Sequence, residues 1–136
     1  MRQFIRHPSD IPIQYDIGDT AGRKEETLKD ISHGGLSFTT GRCIEPGTGM
    51  TVHITIRKPP FNSRGVAAWC AKNDDGTFEV GVEFEEKKTD FTLRMVEQVC
   101  HIEHYKKEVK EREGRELSGR EAAAEWIRKY AGDFPV

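Results

Sequence analysis

Apolar and polar residues alternate along much of the first 86 residues, and this period of two predicts β-strands. The alternation covers 11–17, 50–56 and 78–84, with a shorter piece at Leu36 and Phe38. Residues 66–71 form a further apolar run. Turn-forming residues separate these runs, among them Gly34-Gly35, Pro46-Gly47-Thr48-Gly49 and Asp74-Asp75-Gly76. Short strands joined by such turns indicate a barrel or a sandwich.

After residue 87 the apolar positions fall three or four apart, which predicts an amphipathic helix. Thr89 or Asp90 is its candidate N-cap, and the apolar positions are Phe91, Met95, Val99, Ile102, Tyr105 and Val109. We expect Gly114 to interrupt it. Ser118 and Glu121 have capping-box spacing, so a second helix is predicted through Ala122, Trp126, Ile127 and Tyr130, ending near Gly132. We divide the chain into a β domain with the start of the first helix, 1–102, and a charged helical extension, 103–136.

The charge balance and the apolar content of the sequence limit which partners we expect. The 21 Lys and Arg residues nearly balance 23 Asp and Glu residues, so no overall field attracts a nucleic-acid polymer, and any anion site must be local. No apolar stretch approaches the roughly 20 residues of a membrane span, and no apolar leader follows the N-terminal charges. Cys43, Cys70 and Cys100 have no paired spacing and are interpreted as reduced thiols. We expect a cytoplasmic protein without membrane insertion.

The motifs of catalysis and metal binding are absent from the sequence. It contains no nucleophile beside a base, no paired carboxylates in an apolar setting, no Walker loop and no GxGxxG turn. Cys100, His101, Glu103 and His104 have helical spacing, but an open metal site needs further ligands fixed elsewhere. We therefore expect no catalytic residues, no metal and no cofactor.

Two short motifs stand in order near the N-terminus. Arg2 and Arg6 form an RxxxR pair, and after one predicted strand Asp30, Ser32 and Gly35 form DxSxxG. This combination resembles the PilZ family of cyclic di-GMP receptors. Residues 65–69 and 81–84 are similar to its later strands, so the resemblance covers about residues 2–100.

The resemblance implies a mainly β fold: a six- or seven-stranded antiparallel barrel, here with a C-terminal helical extension. It also implies that the arginines lie on an arm beside the outer surface of the barrel. Its ligand-binding residues would be Arg2, Arg6, Asp30, Ser32 and Gly35, with His33, Gly34 and Trp69 as further candidates. Between Ala68 and Ala71, Trp69 is more typical of core or barrel rim than of a guanine-stacking position, and we favour the core.

The chemistry of these residue types suits a cyclic dinucleotide, which offers two phosphates and two flat guanines. A guanidinium group binds a phosphate or guanine O6 and N7 bidentately, and its face stacks on a base. Asp30 can accept from guanine N1–H and N2–H, Ser32 can donate and accept, and Gly35 has no Cβ to obstruct approach. We predict that the arm becomes ordered when the ligand binds.

Several alternatives stay open. Only Met1 precedes Arg2, whereas many family members have more basic residues there, so a single ligand and a stacked pair are both compatible with the sequence. Arg23, Arg42, Arg57 or Arg64 could supply further charge. The apolar patch of Trp126, Ile127 and Tyr130 either folds back or meets a partner, including a second copy. The main alternative function is a PilZ-like interaction or dimerisation module. A more distant alternative is an RNA-binding barrel, which would need a basic groove.

Overall fold

The computed structural model describes residues 6–17, 23–54, 61–86 and 90–130; the side chains of Phe91 and Tyr130 are not described. Within these ranges, seven strands precede two helices. The strands are β1 (His7–Pro8), β2 (Pro12–Asp16), β3 (Lys24–Ile31), β4 (Gly35–Thr40), β5 (Gly49–Ile54), β6 (Phe61–Lys72) and β7 (Phe78–Phe84). The helices are α1 (Asp90–Glu113) and α2 (Gly119–Tyr130).

Six of the strands close into an antiparallel barrel. The pairing runs β3-β2-β5-β6-β7-β4, and β4 pairs with β3 to complete the ring. The short β1 lies along the same edge of β3 as β2, opposite Asp30 and Ile31. The expected antiparallel barrel with a helical extension is therefore confirmed, with β1 as an extra strand.

The interior of the barrel is filled by the apolar side of each alternating strand. Ile13 and Tyr15 of β2 are buried, as are Leu36 and Phe38 of β4, and the rings of Tyr15 and Phe38 lie 5.0 Å apart. An Ile, Leu or Phe side chain contributes about 1.5–3 kcal/mol when it is fully buried. The alternation of polar and apolar residues is thus explained by one inward and one outward face.

The strand β3 was not predicted, because its sequence does not alternate. Of its eight residues only Leu28 and Ile31 are buried, and they stand three apart. The register with β4 shifts between Leu28 and Asp30, so Lys29 is an extra residue in a β-bulge. The bulge lets both apolar residues face the interior at a spacing that looks irregular in the sequence.

The two helices form at the predicted positions and join the same core, while the candidate cap Thr89 and the expected end near Gly132 lie outside the described residues. Buried residues of α1 include Met95, Val99, Ile102, Tyr105 and Val109. The helix ends before Gly114, whose φ is 70°. At the start of α2, Ser118 N donates to Glu121 Oε1 at 2.9 Å and Glu121 N donates to Ser118 Oγ at 3.1 Å, which confirms the capping box.

The apolar face of α2 folds back onto the molecule. Trp126 is 5% exposed and stacks on His101 of α1 with ring centroids 6.0 Å apart, and Ile127 packs against the core. The helix α1 runs without a break across residue 102. The division into 1–102 and 103–136 therefore stays a prediction about function rather than a visible boundary.

Candidate functional site

Four residues on neighbouring strands form one row on the outside of the barrel. Asp30 of β3 pairs with Ser37 of β4, Ser37 with Gly81 of β7, and Gly81 with Trp69 of β6. Directly paired residues point to the same face of a sheet. Ser37 lies between the inward-facing Leu36 and Phe38, so this outer row (Asp30, Ser37, Gly81, Trp69) faces away from the core.

Arg6 lies against the Asp30 end of the outer row. Its guanidinium Nη1 forms an ion pair with Asp30 Oδ1, and Ser37 Oγ donates to the same oxygen at 2.8 Å. The strand β1 positions Arg6, because the next two residues, His7 and Pro8, pair with Ile31 and Asp30. The side chains of Arg6 and Asp30 are 22% and 20% exposed, so solvent still reaches both. Arg2, the other predicted arginine, lies outside the described residues.

The second half of the motif builds a tight turn. Ser32 N donates to Gly35 O at 2.8 Å, Ser32 Oγ donates to the same carbonyl at 3.3 Å, and Gly34 N donates to Ser32 Oγ at 3.2 Å. Ser32 is only 5% exposed, and His33 at the tip is half-buried. The hydroxyl of Ser32 is therefore already engaged by its own turn.

The two glycines hold this turn against β7. A Cβ at Gly35 would lie 2.1 Å from the backbone oxygen of Val82, a distance that no side chain tolerates. Phe84 N donates to Gly34 O at 2.9 Å. The lack of a side chain at Gly35 is thus required by strand packing, independently of any ligand.

Trp69 occupies the outer face, and our expectation of a core position is wrong. Residues two apart on a regular strand share a face, so Trp69 would follow the buried Ala67 into the interior. The register between β6 and β7 shifts between Ala67 and Trp69, which makes Ala68 a bulge and turns the indole outward. The half-buried indole lies over Gly81, where an added Cβ would be 2.3 Å from its Nε1.

Ser9 and Asp10, which follow β1, contact both helices. Sequence reasoning did not predict these contacts. Asp10 Oδ1 accepts from Lys106 Nζ at 2.9 Å, and Asp10 Oδ2 accepts from Gly119 N at 3.2 Å, at the start of α2. Ser9 Oγ donates to Glu103 Oε2 at 3.2 Å. Ser37 was also missed, although its polar character between two apolar residues marked it as outward-facing. The register that brings it to Asp30 has no signal in the sequence.

A separate polar cluster surrounds His53 of β5. Its Nε2 lies 2.8 Å from Asp16 Oδ2, its Nδ1 lies 2.6 Å from Asn62 Oδ1, and the residue is 6% exposed. Both ring nitrogens are thus occupied by protein partners. Within 6–17, 23–54, 61–86 and 90–130 no group of three or more possible metal-ligating side chains converges, and no helix there is long and apolar enough to cross a membrane.

Comparisons with known proteins agree with this architecture. The PilZ domain model matches residues 1–99. None of the curated proteins matches the chain in sequence. Among solved structures, the chain is similar to the PilZ domain of YcgR from Escherichia coli with c-di-GMP, at 13% identity and a TM-score of 0.62, covering 84% of this chain and 98% of that one.

Two longer proteins share the fold. The Bacillus subtilis inhibitor of motility MotI/DgrA gives a TM-score of 0.61 at 13% identity, covering 76% of this chain. The K. pneumonia MrkH–c-di-GMP complex gives a TM-score of 0.60 at 13% identity, covering 81% of this chain. This chain spans only 51% and 55% of those two proteins, respectively. The family model covers well over half of this sequence and the barrel accounts for the match, so the chain belongs to the PilZ domain family.

Proposed function

We propose that this protein is a non-enzymatic receptor for cyclic di-GMP that binds its ligand on the outer row of the barrel. The observation that carries the proposal is the partly exposed ion pair between Arg6 and Asp30, on the same face as the indole of Trp69. The structures of the YcgR PilZ domain and of MrkH, which share this fold, contain cyclic di-GMP, and this supports the choice of ligand.

Each proposed contact matches one group of the ligand. Arg6, with Arg2 on the same arm, binds phosphate or the O6 and N7 edge of guanine. Asp30 accepts from guanine N1–H and N2–H, and Trp69 offers a face for stacking. Ser32 and Gly35, with His33 and Gly34 between them, shape the turn that follows Asp30 and present its backbone to the ligand.

The existing ion pair does not block binding. The side chains of Arg6 and Asp30 are 22% and 20% exposed, and the phosphates and guanines of the ligand offer each of them a replacement partner, so the ligand can share or replace the pair. A charge-assisted hydrogen bond contributes about 1.5–3 kcal/mol net. Three or four of them reach the roughly −8 kcal/mol of micromolar binding. Affinity of this order needs neither a metal nor a cofactor.

The contacts behind the arm offer a route from the ligand to the helices. Ser9 and Asp10 follow Arg6 by only a few residues, and they bond Glu103 and Lys106 of α1 and the first amide of α2. A ligand that repositions Arg6 would also displace Ser9 and Asp10 and so change their hydrogen bonds to the helices. We therefore propose that ordering of the arm is transmitted to α1 and α2, or to a protein partner or second copy that binds there.

The His53 cluster is not part of the proposed ligand site. A general base needs a ring nitrogen free to take a proton from the substrate. In this cluster Asp16 and Asn62 occupy both nitrogens. The cluster instead joins β2, β5 and β6 as a structural element of the barrel.

Calorimetry with cyclic di-GMP tests the proposal on the wild type and on Arg6→Ala. Loss of one charged contact should weaken binding by about ten- to a hundredfold. The control is Arg112→Ala, which removes an exposed arginine of α1 that pairs with Glu108 and should leave the affinity unchanged. Equal affinity in wild type and Arg6→Ala would overturn the proposed site. No heat with the wild type would favour the alternative, a PilZ-like interaction or dimerisation module.

A further inference from the structure

Two cysteines from distant parts of the chain lie side by side at one end of the barrel. Cys43 is in the connection between β4 and β5, and Cys70 is on β6, 27 positions later. Their sulfur atoms are 3.3 Å apart, and the Cys43 thiol donates toward Cys70 Sγ. Cys43 is exposed and Cys70 is half-buried, so a small molecule can reach the pair from solvent.

The fold holds the two thiols together from both sides. In the β4–β5 connection, Ile44 is buried in the core immediately after Cys43. Three residues further on, the connection is bonded to β6: Gly47 N donates to Ala67 O at 2.8 Å, and Ala67 N donates to Thr48 O at 2.9 Å. On β6, the bulge at Ala68 turns Cys70 to the inner face, opposite Val80.

We propose that Cys43 and Cys70 form a reversible dithiol–disulfide site that peroxides oxidise. The sulfur atoms need to approach by only about 1.3 Å to reach a disulfide bond length of about 2.0 Å. Cys43 is exposed and lies between β4 and β5 rather than in a strand, so we expect its side chain to make this movement. This site lies beside the β6 bulge and does not depend on cyclic di-GMP binding.

The reaction balances with hydrogen peroxide as the oxidant. One thiolate attacks a peroxide oxygen, the O–O bond breaks, and the departing hydroxide takes a proton to leave as water, which gives a sulfenic acid. The second thiol attacks that sulfur, the S–O bond breaks, and a second water leaves as the S–S bond forms. Two thiols are oxidised and one peroxide is reduced. A dithiol reductant reverses the change by thiol–disulfide exchange.

The rate of thiol oxidation should rise with pH. The hydrogen bond with Cys70 raises the pKa of the Cys43 thiol, with burial and the charges of Cys70 and Glu45 as smaller causes. Because the thiolate is the reactive form, oxidation should become faster as pH rises from 7 through 9. Burial also raises the pKa of Cys100 on α1, which is therefore a suitable comparison thiol.

Mass spectrometry of the full chain treated with hydrogen peroxide tests the proposal. We expect a loss of about 2 Da, for two hydrogens, and a peptide that links Cys43 with Cys70. The linked form should persist in Cys100→Ser and be absent from Cys43→Ser and Cys70→Ser. Dithiothreitol should restore the original mass.

Thermal unfolding gives a second, independent readout. A bond that closes a loop of this size should raise the unfolding midpoint of the wild type by about 5 °C or more, and Cys43→Ser should show no such rise. Oxidation that yields only sulfinic or sulfonic acids, or a disulfide that involves Cys100 or joins two chains, would overturn the proposal. So would a Cys43–Cys70 bond that lowers the midpoint, since that would mean the fold does not hold the thiols in place.

Discussion

The two ends of the DxSxxG motif lie a few residues apart but differ in what surrounds them. Asp30 is partly exposed and holds an arginine from another part of the chain. Ser32 and Gly35 face the protein itself: the serine is bonded within its turn, and the glycine packs on the β7 backbone. A single sequence motif therefore joins a residue that offers charge to a ligand with residues that build the support for it.

The largest effect should come from the packed end. Gly35→Ala places a methyl group 2.1 Å from Val82 O, a backbone atom that cannot rotate away. We expect the free energy of unfolding to fall by about 3 kcal/mol, measured by urea denaturation. The control is Gly41→Ala, where an added Cβ meets nothing within 4 Å. Equal stability of the two variants would mean that Gly35 is not required by packing.

The charged end should show the opposite behaviour. Asp30→Asn keeps an oxygen to accept from Ser37 but removes the charge that faces Arg6. We expect cyclic di-GMP to bind about tenfold more weakly in calorimetry. The free energy of unfolding should fall less than in Gly35→Ala, because the Asn side chain still accepts from Ser37. A variant that loses stability but keeps its affinity would remove the distinction between the two ends.

The smallest effect should come from the middle of the motif. Ser32→Ala removes the two hydrogen bonds of the hydroxyl within the turn and should lower stability by about 1 kcal/mol. Because the hydroxyl is engaged by its own backbone, the affinity for cyclic di-GMP should change by less than about threefold. An affinity loss of tenfold or more at unchanged stability would instead place Ser32 in direct contact with the ligand.

The sequence predicted the regular parts of the barrel and failed where strands are irregular. Strands β2, β4, β5 and β7 were found from their alternation, and α1 and α2 from helical spacing and the capping box. Bulges explain two of the failures: the one at Lys29 concealed β3, and the one at Ala68 moved Trp69 to the outer face. The strand β1 and the first five residues of β6 were also missed. Whether a strand contains an extra residue depends on its pairing with the neighbouring strand. The local sequence pattern carries no information about that pairing.

The candidate site, like the fold, was predicted in part. Arg6 and Asp30, 24 positions apart, were expected together only through the family resemblance, and the structure does bring them together. The contact of Asp10 with Gly119 spans 109 positions and involves a backbone amide, so no residue pattern predicts it. Both bulges turn a candidate ligand-binding residue outward, so the irregularities of the strands lie at the proposed site.

An NMR titration that follows backbone amide and indole N–H resonances while cyclic di-GMP is added tests the location of the site most directly. We predict that the largest shifts occur at Arg6, at Asp30, Ser37 and Gly81, and at the indole N–H of Trp69, with a further shift at the Gly119 amide if the arm is coupled to α2. Shifts confined to another surface of the barrel or to the helices, with the outer row unchanged, would contradict the account.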